Sequence, residues 1–200
     1  MLDGWARRLV QPPLDRAGRA VAARMTADQV TLAGLGFALL AAAMIAAGAA
    51  AWALLPLLAS RIADGLDGAV ARVRGKTDFG GVLDIACDFA FYAAIPLGFV
   101  LADPAGNGLA GAVLLASFYV NAATFLGYAI LAEKRGMQTQ ARGEKSLYFT
   151  AGLMEGSETI AFFVLMCLWP AGFAPLAYTF AALCLITALA RLRLAARVFG

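Results

Sequence analysis

Six stretches of this chain, about 29–50, 52–72, 79–102, 108–132, 147–168 and 172–193, are each apolar over about the 20 residues that a bilayer span needs. In hydrocarbon every backbone N–H and C=O must find its partner within the segment, so runs of this kind fold as helices. The breaks between them carry turn residues: Gly75, Asp103 with Pro104, Gly106 with Asn107, Gly136, Gly143, and Pro170 with Gly172. Gly34, Gly36, Ala41, Ala42, Ala43, Gly111 and Gly127 allow close helix packing without a hydrophobic drive between helices. Composition agrees: 62% of the residues are hydrophobic and only 14% charged, against about a quarter charged in soluble domains.

The sequence therefore predicts an all-α integral membrane protein with six transmembrane helices. One domain spans 1–200, with a juxtamembrane helix over 1–25 and a six-helix bundle over 26–200. Residues 1–28 hold five arginines and two prolines and no apolar run of the cleavable-signal type. Leu2 to Arg24 reads as an amphipathic interfacial helix broken at Pro12 and Pro13, with Trp5, Leu9, Val10, Leu14 and Val21 toward lipid. The alternative is a basic anchor that only sets topology.

Charge fixes the orientation. An even number of spans puts both termini on one side, together with the second-to-third and fourth-to-fifth connections. All 16 Lys and Arg residues fall there or close by, which by the positive-inside rule makes that side cytoplasmic. These basic residues read as topology and headgroup contacts, and no nucleic-acid partner is indicated.

Against this apolar background, the segment from residue 64 to 88 is an electrostatic anomaly. Asp64 and Asp67 are spaced i, i+3 and share a helix face, continued by Gly68 and Ala71. Gly80, Asp84 and Asp88 share a face of the next helix. If the two helices pair about a centre near residue 76, Asp64 comes level with Asp88, and Asp67 with Asp84. Ionisable groups at membrane depth cost several kcal/mol each and mark functional sites.

Four carboxylates cannot all stay ionised at close quarters unless cations cancel the repulsion. The chain has no histidine, and Cys87, Cys167 and Cys184 lie apart in apolar stretches as packed thiols. Oxygen-only ligation favours hard ions, Mg²⁺ or Mn²⁺, which usually complete their shell with substrate phosphates. Gly65, Gly68, Ala71 and Gly80 leave room for such a ligand, and Arg72 offers a donor fork suited to a diphosphate. A transporter using the aspartates as a cation path is the alternative; the lack of charge in the outer halves of these two helices disfavours it. Asp78 reads as the cap of the third span.

The pattern Asp64-x-x-Asp67-Gly68-x-x-Ala71-Arg72, then Gly80-x-x-x-Asp84-x-x-x-Asp88, resembles the signature of the class I CDP-alcohol phosphatidyltransferases, with every signature position filled. The segment Met25 to Thr31 is similar to the Thr-Pro-Asn-x-hydrophobic-Thr stretch common there, with Ala27 and Asp28 in place of Pro-Asn. The resemblance implies an enzyme of phospholipid synthesis. It would move a phosphatidyl group from a CDP-linked lipid, typically CDP-diacylglycerol, to an alcohol, with CMP leaving. It also implies two divalent ions held by Asp64, Asp67, Asp84 and Asp88, and Asp88 as the catalytic base. Asp64, Asp67, Gly68, Ala71, Arg72 and Gly80 would bind the CDP moiety. A homodimer in a bacterial inner membrane is the associated expectation, with the active site cytoplasmic.

The acceptor is less legible. Phe89 follows Asp88, where phosphatidylglycerophosphate synthases typically carry lysine, which disfavours glycerol 3-phosphate. Serine, inositol phosphate and phosphatidylglycerol stay open beside it. Glu155 and Glu158, spaced i, i+3, and Arg142 are candidates for an acceptor pocket. The alternative is an ion pair of these acids with Arg61 or Arg142. Tyr92, Asn121, Tyr128 and Tyr148 are further lining candidates or interface anchors.

Overall fold

The computed structural model of the chain describes residues 3–136 and 156–200, with side chains from Gln11 onward. Among these it contains helices α1 (Asp3–Ala22), α2 (Ala27–Ala46), α3 (Ala50–Arg74), α4 (Asp78–Ala102), α5 (Pro104–Lys134), α6 (Gly156–Leu168) and α7 (Phe173–Phe199). A short 3₁₀ turn, Pro170–Gly172, leads into α7. All regular structure among the described residues is helical, as the apolar runs require.

Among the described residues, four helical stretches are long and apolar enough to cross a membrane: Ala27–Ala46, Asp78–Ala102, Pro104–Lys134 and Pro170–Phe199. The other two expected spans differ for separate reasons. α3 is 25 residues long but carries Arg61, Asp64 and Asp67 within its apolar part. α6 is described for 13 residues, and the earlier half of the expected fifth span lies outside the described residues.

Local signals set the helix ends. Thr26 caps α2 through a capping box, accepting from the Gln29 backbone N–H while its own N–H donates to the Gln29 side chain. Thr77 caps α4 by accepting from Gly80 N–H at 3.0 Å. The cap expected at Asp78 is therefore one residue earlier, and Asp78 sits in the first turn, where a carboxylate favours the helix dipole. Gly48 at φ 81° and Gly75 at φ 100° turn the chain between α2 and α3 and between α3 and α4, in backbone conformations that favour glycine.

α1 departs from expectation. It runs unbroken through Pro12 and Pro13, which are both exposed, so the missing donors leave the packed face of the helix intact. Leu14 and Val21, two of the five side chains expected toward lipid, lie on α3; those of Trp5, Leu9 and Val10 lie outside the described ones. Leu14 covers Gly65, Gly18 abuts Ala69, and Val21 joins Ala22, Val30, Ala63 and Val70 in a small apolar cluster. Arg74 Nε donates to Ala22 C=O at 2.6 Å and ties the ends of the two helices together.

The main core is built from α2 to α7, with Ala38, Ala41, Leu57, Phe91, Ile95, Phe99, Leu114 and Phe163 fully or almost fully buried. Phe99 stacks on Phe173 and Phe162 on Phe180, at 4.8 and 4.6 Å between ring centroids. α2 packs along both α3 and α4, which lean on α2 more than on each other. Small residues permit this: Gly34 faces Ala63 and Ser60, and Gly98 faces the backbone of Ala42. At the end that carries the α3–α4 turn, Arg135 donates to the carbonyls of Val198 and Phe199, closing the ends of α5 and α7.

A Cβ at Gly98 would lie 2.7 Å from the Ala42 carbonyl oxygen, whereas one at Gly36 meets nothing within 4 Å. Gly98→Val is expected to lower stability by about 1–3 kcal/mol through overpacking, with Gly36→Val changing it by less than about 0.5 kcal/mol. Unfolding midpoints in detergent check the contrast, and equal midpoints would remove Gly98 from the α2–α4 contact.

Candidate active site

The site is assembled at the α3–α4 turn end of the bundle. Asp64, Asp84 and Asp88 each offer a carboxylate oxygen, and these three oxygens lie within 4.8 Å of one another. The antiparallel reading of α3 and α4 thus places Asp64 level with Asp88. Three anionic oxygens this close, with no nitrogen or sulfur donor in their group, form a donor set for a hard divalent cation.

Asp67 is not in that group. It is buried, and its Oδ2 accepts from Thr31 Oγ1 of α2 at 2.6 Å. Thr31 Oγ1 also lies 3.0 Å from Ala27 C=O, so its single proton is shared between the helix and the aspartate, with the shorter contact to Asp67. The fourth carboxylate of the motif is thereby held against α2, the helix that supports both α3 and α4. A small cavity of about 10 Å³ lies between them, lined by residues that include Thr31, Gly34, Ser60, Arg61, Asp67 and Cys87.

Arg61 is the unexpected member. Its Nη1 donates to Asp88 Oδ1 at 2.9 Å and lies 3.6 Å from Asp64 Oδ1. Its other terminal nitrogen donates to Ser60 Oγ at 3.2 Å. The guanidinium carbon stands 3.7 Å from the centroid of the Phe91 ring. The sequence offered Arg61 as a topology charge or as an ion-pair partner for Glu155 or Glu158; among the described residues it engages Asp64 and Asp88, and Glu155 lies outside them. Its position three residues before Asp64, on the same helix face, was the available signal.

The glycine and arginine positions follow the motif. Gly68 and Ala71 lie along α3 above Asp67, and Arg72 Nη2 pairs with Asp15 of α1. A Cβ at Gly80 would come 3.1 Å from Asp28 Oδ1, so the first turns of α2 and α4 meet closely there. Asp15, Asp28, Thr31 and Ser60 are neighbours of the motif that its spacing does not reveal.

The remaining candidates lie on other elements or outside the described residues. Glu158 is half-buried in the first turn of α6, which packs on α3 and α7. Glu155, Arg142 and Tyr148 lie outside the described residues. Tyr92 packs edge-on against Phe91 and Phe118, and Tyr128 against Phe199. Asn121 accepts from Arg191 of α7 through both its backbone and its side-chain oxygen. The three cysteines are buried and free, as expected of packed thiols.

The family model described as CDP-alcohol phosphatidyltransferase matches residues 24–192. The chain belongs to the CDP-alcohol phosphatidyltransferase family. It is an enzyme of that class, and the transporter alternative finds no support. A relative is the inner membrane protein YnjF of Escherichia coli (strain K12), 44% identical over 192 residues, covering 96% of this chain and 93% of that protein. Two solved structures of the Mycobacterium tuberculosis phosphatidylinositol phosphate synthase PgsA1 share the fold. The one with CDP-DAG bound has a TM-score of 0.70 at 21% identity, covering 90% of this chain and 92% of that one. The one with manganese and citrate has a TM-score of 0.67 at 24% identity, covering 90% and 86%.

The Thr31–Asp67 hydrogen bond yields a test. A buried bond to a carboxylate is worth about 1.5–3 kcal/mol, so Thr31→Val is expected to weaken divalent-cation binding by about tenfold or more, and Thr31→Ser to keep it. A Mn²⁺ titration checks this. Unchanged binding in Thr31→Val would mean that Asp67 needs no orientation from α2.

Proposed function

We propose that this phosphatidyltransferase moves the substituted phosphate group of a CDP-linked lipid, such as CDP-diacylglycerol, to an alcohol, and releases CMP. The observation that carries this reading is the convergence of Asp64, Asp84 and Asp88 on one point of α3 and α4, within the family's motif. Family membership supports a divalent metal, and a relative of the same fold has been solved with manganese. Asp64, Asp67, Asp84 and Asp88 would hold two ions, Mg²⁺ or Mn²⁺. Such ions neutralise charge on a transferring phosphoryl group.

The chain's own residues then have distinct tasks. Arg72, Gly68, Ala71 and Gly80, with Asp64 and Asp67, form the CDP-binding lip. The glycines and Ala71 let the nucleotide approach the backbone, and Arg72 offers paired donors to a diphosphate. Asp88 accepts the proton of the acceptor hydroxyl. The hydroxyl oxygen bonds to the phosphorus that carries the lipid, and the bridging oxygen departs with CMP. Glu155, Glu158 and Arg142 are proposed for the acceptor side. The PgsA1 structure with CDP-DAG supports a CDP-lipid donor.

The whole chain, residues 1–200, is read as one unit with α1 at the interface. α2 to α7 supply six spans in this reading. YnjF's description as an inner membrane protein supports a bacterial inner membrane location. Basic-residue placement supports a cytoplasmic site and cytoplasmic termini, and a homodimer is the proposed assembly.

Purified protein supplied with CDP-diacylglycerol, Mg²⁺ and a panel of alcohols is expected to release CMP, and the mass of the lipid product names the acceptor. Asp88→Asn is expected to cut turnover by about 10²–10⁴-fold while binding CDP-lipid within about threefold of the native protein. Asp64→Asn should weaken the metal-dependent binding as well. Equal loss of binding in both variants would remove Asp88 from the role of base.

A further inference from the structure

The function above accounts for the carboxylates but leaves Arg61 without a task. This guanidinium is costly to place. It lies twelve residues into α3, its side chain is only 13% exposed, and its Nε is buried with no hydrogen-bond partner among the described residues. An arginine needed only to cover the Phe91 ring could be a leucine or methionine at lower cost. Its contacts with Asp88, Ser60 and the Phe91 face hold its charge against two of the three converging carboxylates, Asp88 and Asp64. Phe91 is fully buried and packs edge-on against Phe163, so the platform beneath the guanidinium belongs to the core.

We propose that Arg61 is a resident counter-charge of the acidic centre, a positioning residue that holds Asp88 through Oδ1 and limits how tightly the centre binds divalent cations. This rests on the metal-centre reading of the aspartates. A fixed positive charge within hydrogen-bond distance of one ligand and 3.6 Å from another repels an incoming cation and competes for its oxygens. Because the charge is shielded from water, salt screens it little. Four carboxylates formally match two divalent ions; Arg61 leaves a positive charge over. The centre is thereby kept from becoming a permanent metal trap and favours an anionic ligand.

The test is a Mn²⁺ titration of the full-length protein in detergent, with free Mn²⁺ read by its paramagnetic resonance signal. Arg61→Gln and Arg61→Met are expected to bind Mn²⁺ on the order of tenfold more tightly than the native protein. Arg61→Lys, which keeps the charge, should stay within about threefold. Loss of a merely structural residue loosens a site, so tightening is the signature that separates the two roles. Native or weaker affinity in both neutral variants would overturn the proposal. Should those variants fail to fold, Phe91→Leu decides. It strips the platform and leaves Arg61 in place, and binding is expected to tighten by a smaller factor; no tightening overturns the proposal. Asp64→Asn runs alongside. If it leaves Mn²⁺ binding at the native level, the metal-centre reading itself fails, a result distinct from failure of the Arg61 assignment.

Discussion

Carboxylates cannot sit side by side inside a membrane protein without something to hold and balance them, and this requirement organises the whole site. Asp64, Asp84 and Asp88 converge from two helices. Asp67 is drawn aside by a hydroxyl on a third. Arg61 supplies a positive charge from one turn away, resting on an aromatic ring of the core. These groups come from three helices, α2, α3 and α4, and none of them sits on a loop. The chemistry is therefore rigidly mounted, as in-line transfer at phosphorus requires.

The apolar surroundings make these few polar contacts consequential. Much of the molecule's surface is made of large apolar side chains, such as Trp52, Leu55, Ile62, Phe79 and Leu109, all strongly exposed. In lipid those faces cost nothing, but they also provide no drive to bring helices together. Close approach at glycines, stacked rings such as Phe99 on Phe173, and shared hydrogen bonds such as Arg191 to Asn121 and Thr124 take over that role. Polar residues in this fold do structural service even where they are remote from the aspartates.

The helices and the motif were legible because each rests on a local rule. Apolar length fixes a span, and i, i+3 or i, i+4 spacing fixes a shared face, so Asp64 and Asp88 could be set level before any coordinates. What escaped depended on which helices touch. Reading α3 and α4 as a directly packed pair put all four carboxylates in one group. The structure lets α2 carry both, and Asp67 turns to Thr31. Pro12 and Pro13 signalled a break because their position on the exposed side of α1 is set by packing on α3. Arg61 was visible as a charge at membrane depth, but its partner could be chosen only once α4 was placed.

α2 contributes none of the converging carboxylates, yet it stands against both helices that do. Along its middle the inward positions are small: Gly34 against Ala63, Ala38 and Ala41 in the core, and Ala42 against Gly98. The gap across which Asp64 and Asp88 face each other is therefore set by the thickness of a bystander. α2 acts as the gauge block of the centre, and side-chain volume on its inner face determines how far apart the reacting groups stand.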